Sequence, residues 1–284
     1  MPYAGEDFEI LDPNSIIVED FVRSELSNRT KEIIQARTPN PNPNNPMPFL
    51  GDIRRDGDKT SLPLYLGTFQ DWRGTLPRGD QYDDELIKDD LMTPFNTTAI
   101  AVSNDGFFFA PLRAGGRQSH QGTLCFLNGY RLDRDIAANT IECHDEILAD
   151  GTGNELIRQS RGCIADQLNI PIGAVESSDI LGLGASEPAI IDYGYHTLHL
   201  ARLGLRKSEV INAANELYGD GKHSRYLKIV DGEHVFPFTE ESLVKFCNAA
   251  PELMAMTQIP NAWLALANTF GPDALKRVDD LTIN

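Results

Sequence analysis

Basic residues and cysteines are scarce in this chain. Lysines and arginines number 25 against 42 aspartates and glutamates, a net charge of −17. Such a surface repels the phosphates of nucleic acid and of anionic membranes, so bulk binding to either is not expected. A local arginine cluster can still take an anionic small ligand. The four cysteines, Cys125, Cys143, Cys163 and Cys247, form no C-x-x-C pair, so neither a zinc ribbon nor a redox motif is indicated. Each lies among apolar neighbours and reads as a small buried residue. No apolar run reaches membrane-spanning length, and no basic-then-apolar segment opens the chain, so the cytoplasm is the expected compartment. There is no G-x-S-x-G elbow, no P-loop and no internal repeat. Gly182 and Gly184 lack the rest of a dinucleotide fingerprint and a following helix signal.

What is present suffices for a substantial core. Hydrophobic residues make up 41% of 284 and charged residues 24%, the profile of a globular chain with one elaborated domain or two small ones. Ser15 to Asp20 reads as a strand, and Asn28 or Thr30 through Arg37 as a helix. Residues 38–48 (TPNPNPNNPMP) alternate proline and asparagine and predict an irregular loop or linker, either a plain connector or a cover over a site. A charged loop (GDIRRDGDKTS) follows. Leu62 to Phe69 returns to strand character, Gln70 to Gly74 looks like a turn of helix, and Asp80 to Asp90 is an acidic run read as a solvated helix start.

The chain is organised around residues 97–170. Thr98–Val102 and Phe107–Leu112 are apolar strands about Ser-Asn-Asp-Gly, where Asp105-Gly106 supplies the positive φ of a tight hairpin. The loop Arg113–Gly122 (RAGGRQSHQG) is polar and glycine-rich. Thr123–Leu127 predicts a third strand, stopped by Asn128-Gly129. Residues 132–148 are part strand, part acidic. Gly153–Ile170 predicts a helix, capped by Asn154 and ended by Ile170-Pro171, with Leu156, Ile157, Cys163, Ile164 and Leu168 on one broad face. Tyr195–Leu203 reads as a strand, Tyr226–Val230 as a short one, and 208–218, 240–250 and 261–270 as helices, the second capped at Thr239.

Arg113 and Arg117 flank the glycine-rich loop. Arginine grips phosphate through paired hydrogen bonds, and glycines let backbone N–H groups approach an anion. They are the leading ligand contacts, with His120 in the same loop and Gly129 at the end of the next strand; the alternative is a flexible loop with surface arginines. If Tyr195–Leu203 is a strand, His196 and His199 face opposite sides and cannot share a metal. Tyr65 and Trp72 are either core or a stacking surface for a base or sugar.

The order hairpin, Gly-ended strand, helix resembles the Nudix superfamily, over roughly residues 62–205. VSNDGFFFAPLRAGG and GTLCFLNGY look like the family's strands before its box, G-x5-E-x7-R-E-U-x-E-E-x-G-U with U apolar. LPLYLGTFQDWRGT resembles the lead-in of a subgroup acting on nucleotide sugars such as UDP-glucose. Setting Leu168-Asn169-Ile170 on the final x-G-U puts Asp166 and Gln167 at the paired glutamates, Cys163 and Gly162 at the glutamate and arginine of the R-E pair, and Asn154 at the earlier glutamate. A one-residue slip one way recruits Arg161 and the other way Glu155, and neither restores the adjacent pair. In the family this box holds divalent cations against a diphosphate, where the metal neutralises charge on the leaving oxygen.

The resemblance implies a Nudix-like α/β/α sandwich with a mixed sheet, an N-terminal extension (1–95) and a domain (96–284) ending in helices. It implies recognition of a nucleoside diphosphate derivative, with Mg²⁺-dependent pyrophosphate hydrolysis through Asp166, and Glu155 in support, as catalytic and metal-binding residues. The alternative is an inactive relative serving as a ligand sensor or interaction module. A nucleotide-type small molecule is the expected partner, with a homodimer left open.

Overall fold

The computed structural model describes residues 8–9, 16–23, 32, 35, 46–50, 54–57, 59–68, 93–114, 122–129, 155–185, 195–218, 226–254 and 258–278. The strands are β1 (Phe8–Glu9), β2 (Ile16–Arg23), β3 (Pro46–Leu50), β4 (Arg54–Asp56), β5 (Lys59–Thr68), β6 (Thr93–Val102), β7 (Phe107–Phe109), β8 (Leu127–Gly129), β9 (Val175–Ala185), β10 (Tyr195–Leu203) and β11 (Val235–Pro237). The helices are α1 (Glu155–Leu168), α2 (Lys207–Leu217), α3 (Glu240–Leu253) and α4 (Ile259–Phe270).

The apolar run about Ile100 becomes β6, the strand to which the others attach. One edge of β6 pairs in parallel with β10, from Tyr195↔Phe95 to Arg202↔Val102. Its other edge is shared by β3, β8 and β7 in turn. The described residues form one mixed sheet in the order β1-β9-β10-β6-β3-β5-β2, with β4, β7, β8 and β11 beside it. Strand β6 crosses residue 95, and β3 joins β5 and β2 to it, so strands on both sides of that residue share the sheet.

Alternation along the strands divides the core. Ile100, Val102, Phe108, Leu198 and Leu200 pack with α3 and α4; Ala99, Ala101, Phe109, Ala201 and Leu203 pack with α1 and α2. A strand covered on both faces needs no polar residue at every second position, which explains the uninterrupted apolar stretch of β6. The expected α/β class, a mixed sheet sandwiched by helices, is the observed architecture.

Local signals account for several element ends. Helix α1 stops where Asn169 turns left-handed at φ 54°, Ile170 N–H reaches back to the carbonyl of Ala165 at 3.0 Å, and Pro171 follows. Thr239 Oγ1 accepts from Ser242 N–H at the start of α3, above Glu240 and Glu241. In the β6–β7 hairpin Gly106 takes φ 81°, and its N–H bonds Ser103 O at 3.0 Å. Asp105 does not share that positive φ. Its carboxylate accepts instead from Lys207 N–H at 2.8 Å, in the first turn of α2, where a negative charge is favoured. Burial pushes the Asp105 carboxyl up, but the Lys207 and Ser103 hydrogen bonds outweigh it and hold it below its ordinary value.

Several expectations are corrected. The end of the proline–asparagine stretch is not loop: Pro46 to Leu50 form β3. Pro46 and Pro48 pair with β5, while only Phe49 and Leu50 meet β6. The prolines therefore lie where, among the described residues, β3 has one neighbour, and a missing N–H breaks no ladder on the other side. The charged loop folds into the β4–β5 hairpin, with Asp56 opposite Lys59 and Gly57 at φ 59°. The third strand is displaced: β8 is Leu127–Gly129, so Asn128 and Gly129 belong to the strand and pair with β6 instead of stopping it at Leu127. Tyr226–Val230 makes only an isolated bridge, Arg113↔Tyr226, and β11 after it was not expected. Glu32 and Gln35 are helical and exposed within the helix expected there. The Gln70–Gly74 turn, Trp72, the acidic run, residues 132–148 with Cys143, and Asn154 lie outside the described residues.

Candidate functional site

Helix α1 ends against β8, and the contact is polar. Gln167, in the last turn of α1, uses its whole amide within the protein. Its Nε2 donates to the Asn128 carbonyl at 2.6 Å and to Cys163 Sγ at 2.8 Å. Its Oε1 accepts from the Tyr226 hydroxyl at 2.8 Å, and that hydroxyl also lies 3.4 Å from Asn128 Oδ1. The Tyr218 hydroxyl donates to the Gln167 backbone carbonyl, and the Tyr218 and Tyr226 rings meet edge-on at 5.8 Å. Tyr226 is fully buried. The helix thus meets the strand through amide and phenol groups that satisfy one another.

Asp166, one residue earlier, faces outward and is exposed. Glu155 opens the same helix. Eleven residues at about 1.5 Å each put them roughly 16 Å apart along the axis, too far to share one ion. Asp166 and Glu155 are not brought together, and Gln167 has no oxygen turned toward a cation. Among the described residues no three of His, Cys, Asp and Glu gather to hold a metal. The described residues therefore do not compose a magnesium site. Cys125, Cys163 and Cys247 are buried thiols, as expected, and burial pushes Cys247 up to about 12.

Placing a glutamate at position 167 tests this geometry. In Gln167→Glu the carboxylate has no hydrogen for the Asn128 carbonyl and sets like partial charges face to face. Loss of such buried bonds costs about 1–3 kcal/mol. Urea unfolding at pH 7 should register that loss, and it should shrink in acid as the carboxyl takes a proton. A variant as stable as wild type at pH 7 would show that the end of α1 opens to water.

Arg113 lies at the neck of the glycine-rich loop. Its N–H donates to Thr123 O at 3.0 Å, its carbonyl accepts from Gly122 N–H at 3.3 Å, and Gly122 takes φ 69°. The half-buried side chain carries a buried Nε–H without a hydrogen-bond partner. An unmatched buried donor costs about 1–3 kcal/mol, and an oxyanion beside it would relieve that cost. Arg117 and His120 lie outside the described residues. Gly129 ends β8 opposite Thr97, next to the Asn128 that Gln167 holds.

Beneath α1 lies a second buried network. Ser178 Oγ donates to Ser160 Oγ of α1 at 2.9 Å, and lies 3.2 Å from His199 Nδ1; His199 Nε2 is 3.0 Å from Thr197 Oγ1. One neutral tautomer satisfies all four groups: Nδ1–H donates to Ser178 and Nε2 accepts from Thr197. Burial pushes His199 down to about 3. His196 points to the other face, where Nδ1 is 3.3 Å from Thr98 Oγ1. Reasoning from sequence missed Tyr226, Asn128, Tyr218 and this hydroxyl network. No spacing signal joins them in the sequence: Asn128 lies 39 positions before Gln167, and Tyr218 and Tyr226 lie 51 and 59 after it.

No family model matches the chain, and no curated protein sequence matches it.

Proposed function

We propose that this chain is a Nudix-like binding module that captures a nucleoside diphosphate derivative, of the nucleotide-sugar kind, without hydrolysing it. The observation that carries the reading is the engagement of Gln167. At a position where the resemblance calls for a metal-binding glutamate stands an amide engaged by β8 through Asn128, by Cys163 of its own helix and by the Tyr226 hydroxyl. A diphosphate is supported by the unmatched Nε–H of Arg113 at the neck of a glycine-rich loop. The phosphate charge would be met by arginine and backbone N–H groups rather than by a cation.

Calorimetric titration with UDP-glucose and ADP-ribose, with and without Mg²⁺, combined with an assay for released monophosphate, tests this. Binding that ignores Mg²⁺ and yields no monophosphate is the expected result. Mg²⁺-dependent monophosphate release would establish a pyrophosphohydrolase whose carboxylates come from elsewhere in the chain. Absence of binding to both compounds would remove the nucleotide reading and leave the α/β sandwich untouched.

A further inference from the structure

We infer that Tyr226 is the positioning residue of this site: its hydroxyl, anchored on Gln167 of α1, sets where Arg113 presents its unmatched Nε–H. The inference rests on the reading of Arg113 as the phosphate contact. Residues 226–229 are not held in a ladder. Their main chain meets the loop neck through the isolated bridge Arg113↔Tyr226 and through Leu227 N–H to Leu112 O at 2.9 Å. Two side-chain anchors fix the segment on its other flank. Asn215 clamps Ile229, donating to its carbonyl at 2.9 Å and accepting from its N–H at 2.7 Å. The Tyr226 hydroxyl donates to Gln167 Oε1 at 2.8 Å. Of the two, only the hydroxyl acts at the residue that bridges Arg113. Thr123 and Gly122 hold the Arg113 main chain from the loop side, and the bridge holds it from the Tyr226 side. Loss of the hydroxyl bond removes a restraint on Tyr226 and, through the bridge, loosens one of the two holds on Arg113. A misplaced fork loses paired contact with a phosphate while keeping its charge.

The experiment is a double-mutant cycle on the full chain, read by titration with ADP-ribose and UDP-glucose. The variants are Tyr226→Phe, Arg113→Lys and the pair together. Tyr226→Phe keeps the buried ring, and Arg113→Lys keeps the charge but not the fork. Each single variant should bind about tenfold more weakly than wild type, and the double variant no more weakly than Arg113→Lys alone, because Tyr226 acts through the fork. A structural role for Tyr226 would instead lower the thermal midpoint and leave the affinity of the folded protein unchanged. The Arg113 Nε–H resonance, assigned by its absence in Arg113→Lys, supplies an independent reading. Ligand should slow its exchange with water in wild type and not in Tyr226→Phe. Should Tyr226→Phe not fold, Gln167→Met breaks the same bond from the helix side and should show the same unprotected resonance. Wild-type affinity in Tyr226→Phe, or losses that multiply in the double variant, would overturn the inference while the binding reading stands. Failure of wild type to bind either compound would overturn both.

Discussion

Lowering the pH from 6.5 toward 4 is expected to destabilise the protein by about 1.4 kcal/mol per pH unit through His199 alone. The imidazole is fully buried between α1 and the sheet, and both ring nitrogens face hydroxyl groups. Among the described residues its hydrogen-bond partners are these hydroxyls and not a carboxylate, so the loss of water around a charge dominates, and burial holds it at about 3 against an ordinary 6.5. Between those values the unfolded chain binds a proton that the folded chain refuses. Protons therefore favour unfolding, starting as the pH falls below 6.5 and increasing until about 3. His234, pushed down by burial with Glu233 opposing, adds in the same direction. Urea unfolding of wild type and His199→Gln across pH 4–7 measures the effect. Glutamine cannot titrate, so the acid slope should flatten by about 1.4 kcal/mol per unit, whatever the substitution costs at neutral pH. Parallel slopes would mean that water reaches the imidazole and that the Ser160–Ser178–His199 network opens on protonation.

The elements legible in the sequence are those decided locally. Helix α1 carries its apolar positions at helical spacing and ends at Asn169 and Pro171. Thr239 caps α3, and Gly106 closes the hairpin. Each depends on residues within a turn or two of one another. What was not legible is decided by distant partners. Proline in β3 argues against a strand until β5 is known to be, among the described residues, its one neighbour along those positions. Asn128-Gly129 carries a turn signal, which pairing with Thr97 and Thr98 overrides. The site suffers most from this limit. Asp166 and Gln167 are adjacent polar residues in sequence, but the helix turns one to water and the other to β8. Gln167 then meets Tyr226, 59 positions later, through a bond no spacing rule predicts. The placement of His196 and His199 on opposite faces was legible, because strand alternation is local; the hydroxyl groups awaiting His199 were not.

Phe108→Ala is expected to cost about 3–5 kcal/mol, the range for removing a buried aromatic ring from a packed core. Phe108 lies in the short strand β7 and has no exposed surface. Its ring meets Phe246 of α3 at 5.1 Å and 90°, Phe236 of β11 at 5.3 Å and Phe238 at 6.3 Å. Phe236 and Phe246 meet each other at 5.1 Å, so one ring of β7 is shared between a strand and a helix that follow it by more than a hundred positions. Three elements converge on the vacated space, and collapse of one would pull it from the other two, which keeps the cavity open. The neighbouring Phe107 supplies the internal control. It is half-buried and packs under Lys207 Nζ at 4.1 Å on the opposite side of the strand, so its truncation should cost about 1 kcal/mol. Urea unfolding at pH 7 compares the two. Because the aromatic cluster lies on the α3–α4 face and Gln167 and Tyr226 do not, the proposed binding of ADP-ribose should be unchanged in the folded fraction of Phe108→Ala. Equal losses for Phe107 and Phe108 would mean that α3 closes over the missing ring and that some other contact fixes it to the sheet.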